Sequence, residues 1–260
     1  MIQLGITARK SADILEIPLS TLYYHSVKAE QDMSLAEMIK DIAFKYTFYG
    51  YRRIHLAVNR RGVNANHKKV YRIYKCLSLQ RQKPSKNKKR IAVETPLTEP
   101  LFCNHVWAVD FLFDSITDGR YIKIMTVEDL FSRFSLGIEV GFSITAKVVI
   151  EVIKECLRLY GIPRIIRTDQ GPEFRSLTFE KFIQKHGIRH EFTEKGSPWQ
   201  NGTLESFNGK LRDECLSRNL FENQMQAKEV IQKHRIFYNT ERPHSSLGGK
   251  TPSEVFRHGA

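Results

Sequence analysis

The sequence predicts an α/β domain with a mixed sheet, preceded by a helical region. Strand-like apolar runs alternate with helical periodicity after about residue 105, whereas the first third is helical throughout. The first 95 residues carry 19 Lys and Arg against 7 Asp and Glu, and the rest carries 22 against 21. The net charge of +13 therefore belongs to the helical third, which favours a DNA or RNA partner over a merely solubilising surface.

Length and cysteine content exclude several classes of protein. The 260 residues suffice for one large domain or two small ones. The four cysteines are far apart and form no C-x-x-C pair, so neither a disulfide framework nor a zinc cluster is expected. No apolar run could span a bilayer and no signal peptide is recognisable, so we expect no membrane partner and a cytoplasmic, nucleoid-associated protein.

Residues 1–80 are predicted to form a helical DNA-binding region. Two short helices, Thr7–Leu15 and Leu19–Tyr24, fit a helix-turn-helix, and a hairpin that covers the next domain fits equally well. A stronger helix-turn-helix candidate follows. Its predicted helices are Ser34–Phe48, Arg52–Arg61 and a third that opens at Asn64–Asn66. Gly62 has the position of a C-cap glycine.

Basic side chains on these helices are candidate contacts to DNA phosphates. The candidates are Arg52, Arg53, Lys68, Lys69, Arg72 and Lys75. A solvated basic face is the alternative. The run Arg81–Arg90 has six basic residues and no side chain suited to a core, so residues 81–100 are predicted to be a basic linker that lies along DNA.

The domain over residues 101–260 is predicted from its alternating segments. Its strands are Val106–Phe113, Tyr121–Leu130, Arg133–Val140, Ile162–Thr168 and Ile188–Phe192. Its helices are Thr145–Tyr160, Leu177–His186, Thr203–Leu216 and about Gln226–Tyr238, with a loop over Glu194–Gln200 and a Pro-containing tail.

Three carboxylates stand out in this domain. Asp110 interrupts an apolar strand, where a buried carboxylate is costly unless a metal ion or cation accompanies it. Asp169 follows a strand and precedes the turn Gln170-Gly171-Pro172, and strand ends are where open α/β sheets place ligands. Glu205 lies 35 intervening residues later in a predicted helix. We expect all three to face one cleft.

The segments WAVDF, RTDQGPEF and QNGTLESFNGKLR, which contain these carboxylates, resemble the three signature blocks of the DDE transposase and retroviral integrase superfamily. The 35-residue spacing matches that family. The ending YNTERPHSSLGGKTPSEV is similar to the second-frame (OrfB-type) transposase of the insertion-sequence-three family. The resemblance runs from about Leu35 to Val255.

The resemblance implies a ribonuclease H-like core and a helix-turn-helix ahead of it. It implies that Asp110, Asp169 and Glu205 are catalytic and bind Mg²⁺, or Mn²⁺ as a substitute, with two ions per site. The implied function is a DNA transposase that cleaves at element ends and transfers the 3′-hydroxyl strand into target DNA. The implied partners are terminal repeats, target DNA, further copies of the chain, and a first-frame product fused or associated with it.

Side chains that follow Glu205 are candidate contacts to the DNA end: Asn208, Lys210 and Arg212. The family often has lysine seven positions after the glutamate, and Arg212 stands there in this chain. An Arg binds phosphate through a planar fork rather than as a point charge.

Other acidic and imidazole side chains are weaker candidates. Glu173 lies near Asp169, whereas Glu128 and Asp129 fit a cap or a salt bridge better. His186 and His190 are predicted to be separated by a break at Gly187. Two other functions stay open: a ribonuclease H-like nuclease without strand transfer, and a DNA-binding regulator whose second domain is only structural.

Overall fold

The chain forms two compact units, Met1–Lys83 and Pro84–Ala260. The computed structural model describes residues 7–22, 27–80, 97–193 and 202–258. The predicted loop Glu194–Gln200 and most of the predicted linker lie outside the described residues. Within the described part, no helix is long and apolar enough to cross a membrane.

The first unit is entirely helical where it is described, as predicted. Its helices are α1 Ala8–Ile14, α2 Leu19–Leu22, α3 Val27–Lys45, α4 Tyr51–Arg60 and α5 His67–Cys76. Ile39 and Ile42 of α3, Ile54 and Val58 of α4, and Val70 of α5 are fully buried and form its core.

Local signals fix the turn between α4 and α5. Gly62 has a φ of +83°, a conformation that costs glycine little, so the chain leaves α4 there. The side chain of Asn66 accepts a hydrogen bond from the backbone N–H of Lys68 at 2.8 Å and caps α5. The predicted helix-turn-helix region is confirmed in this form.

The second unit is built on a five-stranded mixed sheet. Its strands are β1 Val106–Ser115, β2 Tyr121–Asp129, β3 Phe134–Gly141, β4 Ile165–Thr168 and β5 Arg189–Phe192. They lie in the order β3-β2-β1-β4-β5, and β1 pairs antiparallel with β2 and parallel with β4. The predicted α/β class and its element order are confirmed.

Helices cover both faces of this sheet: α6 Ala146–Tyr160 and α7 Leu177–Lys185 on one, α8 Gly202–Glu214 and α9 Gln224–Thr240 on the other. Because strand side chains alternate, β1 serves both layers. Trp107 and Val109 pack with the buried residues of α6 and α7, and Ala108 and Leu112 pack with those of α8 and α9. Asp110 alternates with Val109 and so belongs to the α8 face.

Helix α9 also covers the edge strand β3, whose backbone groups would otherwise be unpaired. Gln232 donates to the carbonyl of Ile138 at 2.7 Å. The side chain of Asn239 accepts from the N–H of Ser135 and donates to its carbonyl, each at 2.9 Å.

We predict a helical C-terminal tail without its bounds, and the tail contains helix α10 Pro252–His258. Its start is a capping box, in which Thr251 and Glu254 exchange backbone and side-chain hydrogen bonds. Phe256 stacks on Phe134 with ring centroids 4.7 Å apart, so α10 packs beside β3.

Candidate active site

Asp110 lies in the middle of β1, opposite Thr126 of β2. Its Oδ1 accepts a hydrogen bond from the backbone N–H of Phe111 at 2.8 Å. Its Oδ2 accepts one from the side-chain amide of Asn208 at 2.8 Å. Both donors are neutral, so the carboxylate is oriented without being neutralised.

Asp169 follows the last residue of β4. The parallel register pairs Ala108 with Arg167, and two further residues along each strand bring Asp110 beside Asp169. Asp169 Oδ1 accepts from the N–H of Gly171 at 2.9 Å, which holds the carboxylate over the turn. A Cβ atom on residue 171 would lie only 3.0 Å from that same oxygen, so the turn needs glycine for this close approach.

Glu205 lies in the first turn of α8 and is exposed. Its charge acts on Asp110. The pKa of Asp110 is raised to about 6, chiefly by burial and then by the charges of Asp169 and Glu205. Burial also raises the pKa of Glu205. The three predicted carboxylates therefore share one electrostatic environment.

Asn208 has a different position from the one expected of a DNA contact. It is buried, and its amide joins Asp110 to the neighbouring strand: Nδ2 donates to Asp110 Oδ2, and Oδ1 accepts from the hydroxyl of Thr126 at 3.2 Å. Asn208 is placed to orient Asp110. Its position three residues after Glu205, on the inward side of α8, is the signal that could have shown this.

Glu173 and Glu191 are neutralised by cationic partners, and the three carboxylates of the site are not. Glu173 pairs with Lys123 at 2.5 Å, and the half-buried Glu191 pairs with Arg167 at 2.7 Å. Among the described residues, no ion pair joins Asp110, Asp169 or Glu205 to a lysine or arginine. Glu173, the weaker metal candidate, thus already has a cationic partner.

The donor set of the site fits a hard divalent cation. Three carboxylates supply oxygen ligands, which Mg²⁺ prefers, and their mutual repulsion is relieved by a cation. In the described part of the chain, no group of three His, Cys, Asp or Glu side chains is already arranged to hold one ion. Binding by all three therefore requires side-chain movement, which the exposed positions of Asp169 and Glu205 allow.

The remaining candidates behave as ordinary structural groups. Asp129 caps the turn after β2, since its Oδ1 accepts from both the N–H and the hydroxyl of Ser132. Glu128 is fully buried, and burial raises its pKa to about 8. Gly187, with a φ of +66°, separates His186 at the end of α7 from His190 in β5, as predicted.

Two basic side chains of α8 differ in their solvent exposure. Arg212 is exposed, and its Nη2 donates to the carbonyl of Phe113 at 3.2 Å, just past Asp110 on β1. Lys210 is half-buried, and its charge acts on Glu128. Arg212 is therefore the better placed of the two to meet a phosphate at the site.

The predicted DNA contacts of the first unit also differ from one another. Lys69 and Arg72 both bind Asp32 of α3, at 2.7 and 2.5 Å. The other four predicted contacts have different surroundings. Lys68 and Lys75 are exposed, Arg52 donates to the hydroxyl of Tyr51, and Arg53 lies over the ring of Tyr49.

Family models match almost the whole chain. Two models described as integrase core domain match residues 103–198 and 186–252. A model described as HTH-like domain matches residues 30–89. The first two together span the sheet and its helices, and the third spans α4 and α5.

Curated relatives and solved structures agree with these matches. The chain is 34% identical to a protein of insertion element IS407 from Burkholderia multivorans, over 97% of this chain and 91% of that protein. It is 27% identical to the transposase for insertion sequence element IS904 from Lactococcus lactis, over 85% of this chain and 92% of that protein. In fold it is similar to a chain of the simian T-cell lymphotropic virus intasome, solved in complex with PP2A regulatory subunit B56 gamma, with a TM-score of 0.54 and 19% identity over 84% of this chain and 73% of that one. The HTLV-2 integrase catalytic core domain, solved with magnesium, gives a TM-score of 0.50 and 23% identity over 61% of this chain and 99% of that one.

Proposed function

Because the chain belongs to the insertion-sequence-three family of DDE transposases, we propose that it cuts DNA at the ends of its element and joins the freed 3′-hydroxyl to a target strand, with Asp110, Asp169 and Glu205 as its catalytic residues. One observation carries this assignment of residues. These three carboxylates have no cationic partner among the described residues, although Glu173 and Glu191 each have one. The burial and like charges that raise the pKa of Asp110 to about 6 would be relieved by a cation from solution.

Divalent ions fit this role. When bound, two Mg²⁺ or Mn²⁺ ions would stabilise charge on the attacking and leaving oxygens of a phosphodiester and activate the nucleophile. Asp110, Asp169 and Glu205 would hold them. Asn208 and the N–H of Phe111 keep Asp110 pointed at the cleft, and the Gly171 turn does the same for Asp169.

The reaction consists of two in-line displacements at phosphorus. In the first, water attacks the phosphodiester at the element end, and the 3′-oxygen leaves as a hydroxyl. In the second, that 3′-hydroxyl attacks a phosphodiester of target DNA, and the target's 3′-oxygen leaves with a proton. The side chain of Arg212, beside β1, is placed to bind a phosphate flanking the reacting one.

The first unit binds the DNA. Its exposed cations Arg52, Lys68 and Lys75 would meet phosphates, while the N-terminal residues of α5 enter the major groove. The active form would be an assembly of several copies of the chain on DNA, so that each element end meets an active site. A first-frame product, fused or associated, would add further DNA contacts.

The test is a reaction of the whole protein with labelled element-end DNA and Mg²⁺. We expect two products, a strand shortened at the element end and a longer strand in which that end is joined to target DNA. EDTA should abolish both. Cleavage without joining would support the nuclease alternative, and DNA binding without either product would support the regulator.

A further inference from the structure

A buried ion pair connects the tail to the helix that carries Glu205. Arg242 follows α9 and is 1% exposed. Its Nε donates to Glu214 Oε2 at 2.8 Å and its Nη2 to Glu214 Oε1 at 2.6 Å, so the two planar groups meet side by side. Glu214 is the last residue of α8, and the pair therefore fixes that end of the helix.

A second contact holds α8 near its other end. Tyr238 of α9 is fully buried and meets the ring of Phe207 edge-on, with centroids 4.7 Å apart. On its other side Tyr238 packs against His244, also at 4.7 Å, and Arg242 lies over its ring. Phe207 lies between Glu205 and Asn208 in the sequence of α8.

These contacts act on one face of α8. Phe207 and Glu214 are seven residues apart, which is about two turns, so both lie on the side that faces the tail. Glu205 precedes Phe207 by two residues, which places it about 200° around the axis. Because the buried face is held at two points, a rotation of the helix, which would redirect Glu205, would break both contacts.

The side chains of Tyr238, Arg242 and His244 lie together beside the helix that carries Glu205. We propose that Tyr238, Arg242 and His244, which we term the tail clamp, are positioning residues that set Glu205 against Asp110 and Asp169 by holding α8. This proposal rests on the proposed function, since it concerns how the same three carboxylates are brought together to bind a divalent ion. It gives the motif YNTERPH a role that its resemblance alone did not explain.

The test compares two Arg→Lys changes on the whole protein. Arg242→Lys keeps the charge and loses the planar fork to Glu214. Its control is Arg235→Lys in α9, because the guanidinium of Arg235 bonds the carbonyls of Ser135 and Leu136 in β3 rather than any part of α8. Mn²⁺ binding without DNA is measured by calorimetry, together with amide hydrogen exchange over residues 205–214.

We expect Arg242→Lys to weaken Mn²⁺ binding by about tenfold, as is common when a supporting residue of a metal ligand is changed. Exchange over 205–214 should accelerate, and DNA affinity should not change. The Mn²⁺ affinity of Arg235→Lys should be within about twofold of that of the unmutated protein, at a loss of melting temperature equal to that of Arg242→Lys. If Arg242→Lys does not fold, Phe207→Leu loses the ring contact with Tyr238 and part of the buried packing, and should give a smaller change of the same kind.

Equal Mn²⁺ affinity in Arg242→Lys and the unmutated protein would overturn the proposal. So would equal weakening in the two Arg→Lys variants at equal stability, because the effect would then follow general destabilisation. Failure of the unmutated protein both to bind Mn²⁺ and to cleave element ends would contradict the proposed function itself, and the proposal would fall with it.

Discussion

Two regions on the α8 face of the sheet treat their carboxylates in opposite ways. Next to the tail clamp, Glu214 is buried and accepts two hydrogen bonds from Arg242. In the middle of β1 and just after β4, Asp110 and Asp169 have only neutral hydrogen-bond donors. Removing a charge should therefore harm the first region and relieve the second.

The difference separates carboxylates that build the fold from carboxylates that await a ligand. A third arrangement lies between the two regions: Glu128 is fully buried, and its Oε1 accepts from the hydroxyl of Tyr238 at 3.3 Å. Its pKa, raised to about 8 by burial, keeps it mostly protonated at neutral pH. The charge of an acidic group in this domain is thus compensated in three ways: by an ion pair, by protonation and by a cation from solution.

The largest effect should come from the unpaired region. Asp110→Asn, Asp169→Asn and Glu205→Gln should each lower cleavage and joining by at least about a thousandfold, and a double change should add little, because the three act as a unit. Glu139→Gln, which removes a paired surface carboxylate, is the control and should cleave normally. A gel shift with element-end DNA should be unchanged in every variant. Loss of DNA binding together with activity would instead support the DNA-binding regulator.

Removing the carboxylate of Glu128 should stabilise the fold, and the gain should depend on pH. Its pKa is raised in the folded state, so its contribution to stability is complete below its unfolded pKa near 4.5 and is lost as pH rises towards 8. Glu128→Gln should therefore raise the free energy of unfolding at pH 8 by about 1–3 kcal/mol and leave it nearly unchanged at pH 4.5. Denaturant titrations at the two pH values measure this, and a stabilisation independent of pH would refute it.

A smaller effect should follow from crowding the site without changing its charge. A Cβ at residue 171 would lie 3.0 Å from Asp169 Oδ1 and 3.3 Å from Glu173 Oε2. Gly171→Ala should displace Asp169 and lower cleavage by about tenfold at limiting Mg²⁺, since a misplaced group loses pre-organisation. Gly209→Ala on α8 has open space and should keep full activity. Equal activity of the two variants would show that Asp169 tolerates the shift.

The smallest effect concerns the paired carboxylate of the first unit. Asp32 binds Lys69 and Arg72, and the hydrogen bond from Lys69 is the largest cause that lowers its pKa. Asp32→Asn should release both cations and tighten DNA binding a few-fold at low salt, with the gain disappearing at high salt. Glu37→Gln, on the exposed side of the same helix, removes the same charge and should do less. An equal gain in both variants would mean that only net charge matters.

Much of this arrangement could be predicted from the sequence. The strand-like apolar runs, the helical periodicity and the glycines at 62 and 187 predicted the element order, and both glycines have positive φ in the structure. The interrupted strand at Asp110 and the turn after Asp169 marked these two carboxylates as candidates. The fold that the resemblance implies predicts neighbouring strands for them, which the β1–β4 pairing confirms.

The rest depended on contacts between segments distant in the chain. Asn208 reaches Asp110 across 98 residues, and Arg242 reaches Glu214 across 28, so neither partner is visible in a local pattern. Asp32, likewise, is 40 residues from Arg72. Helix α10 is different, because Thr251 and Glu254 form a capping box whose T-x-x-E spacing is visible in the sequence.

A melting experiment without DNA tests most directly whether Asp110, Asp169 and Glu205 together bind a divalent ion. Mn²⁺ at about 100 times its dissociation constant should stabilise the unmutated protein by about 2.7 kcal/mol. Without metal, Asp110→Asn should melt at a higher temperature than the unmutated protein near pH 7, because a carboxyl group with a pKa raised to about 6 opposes folding when it ionises. With Mn²⁺, neither this variant nor Asp169→Asn or Glu205→Gln should gain stability. An equal Mn²⁺-dependent rise in all four proteins would contradict the claim, because the ion would then bind elsewhere.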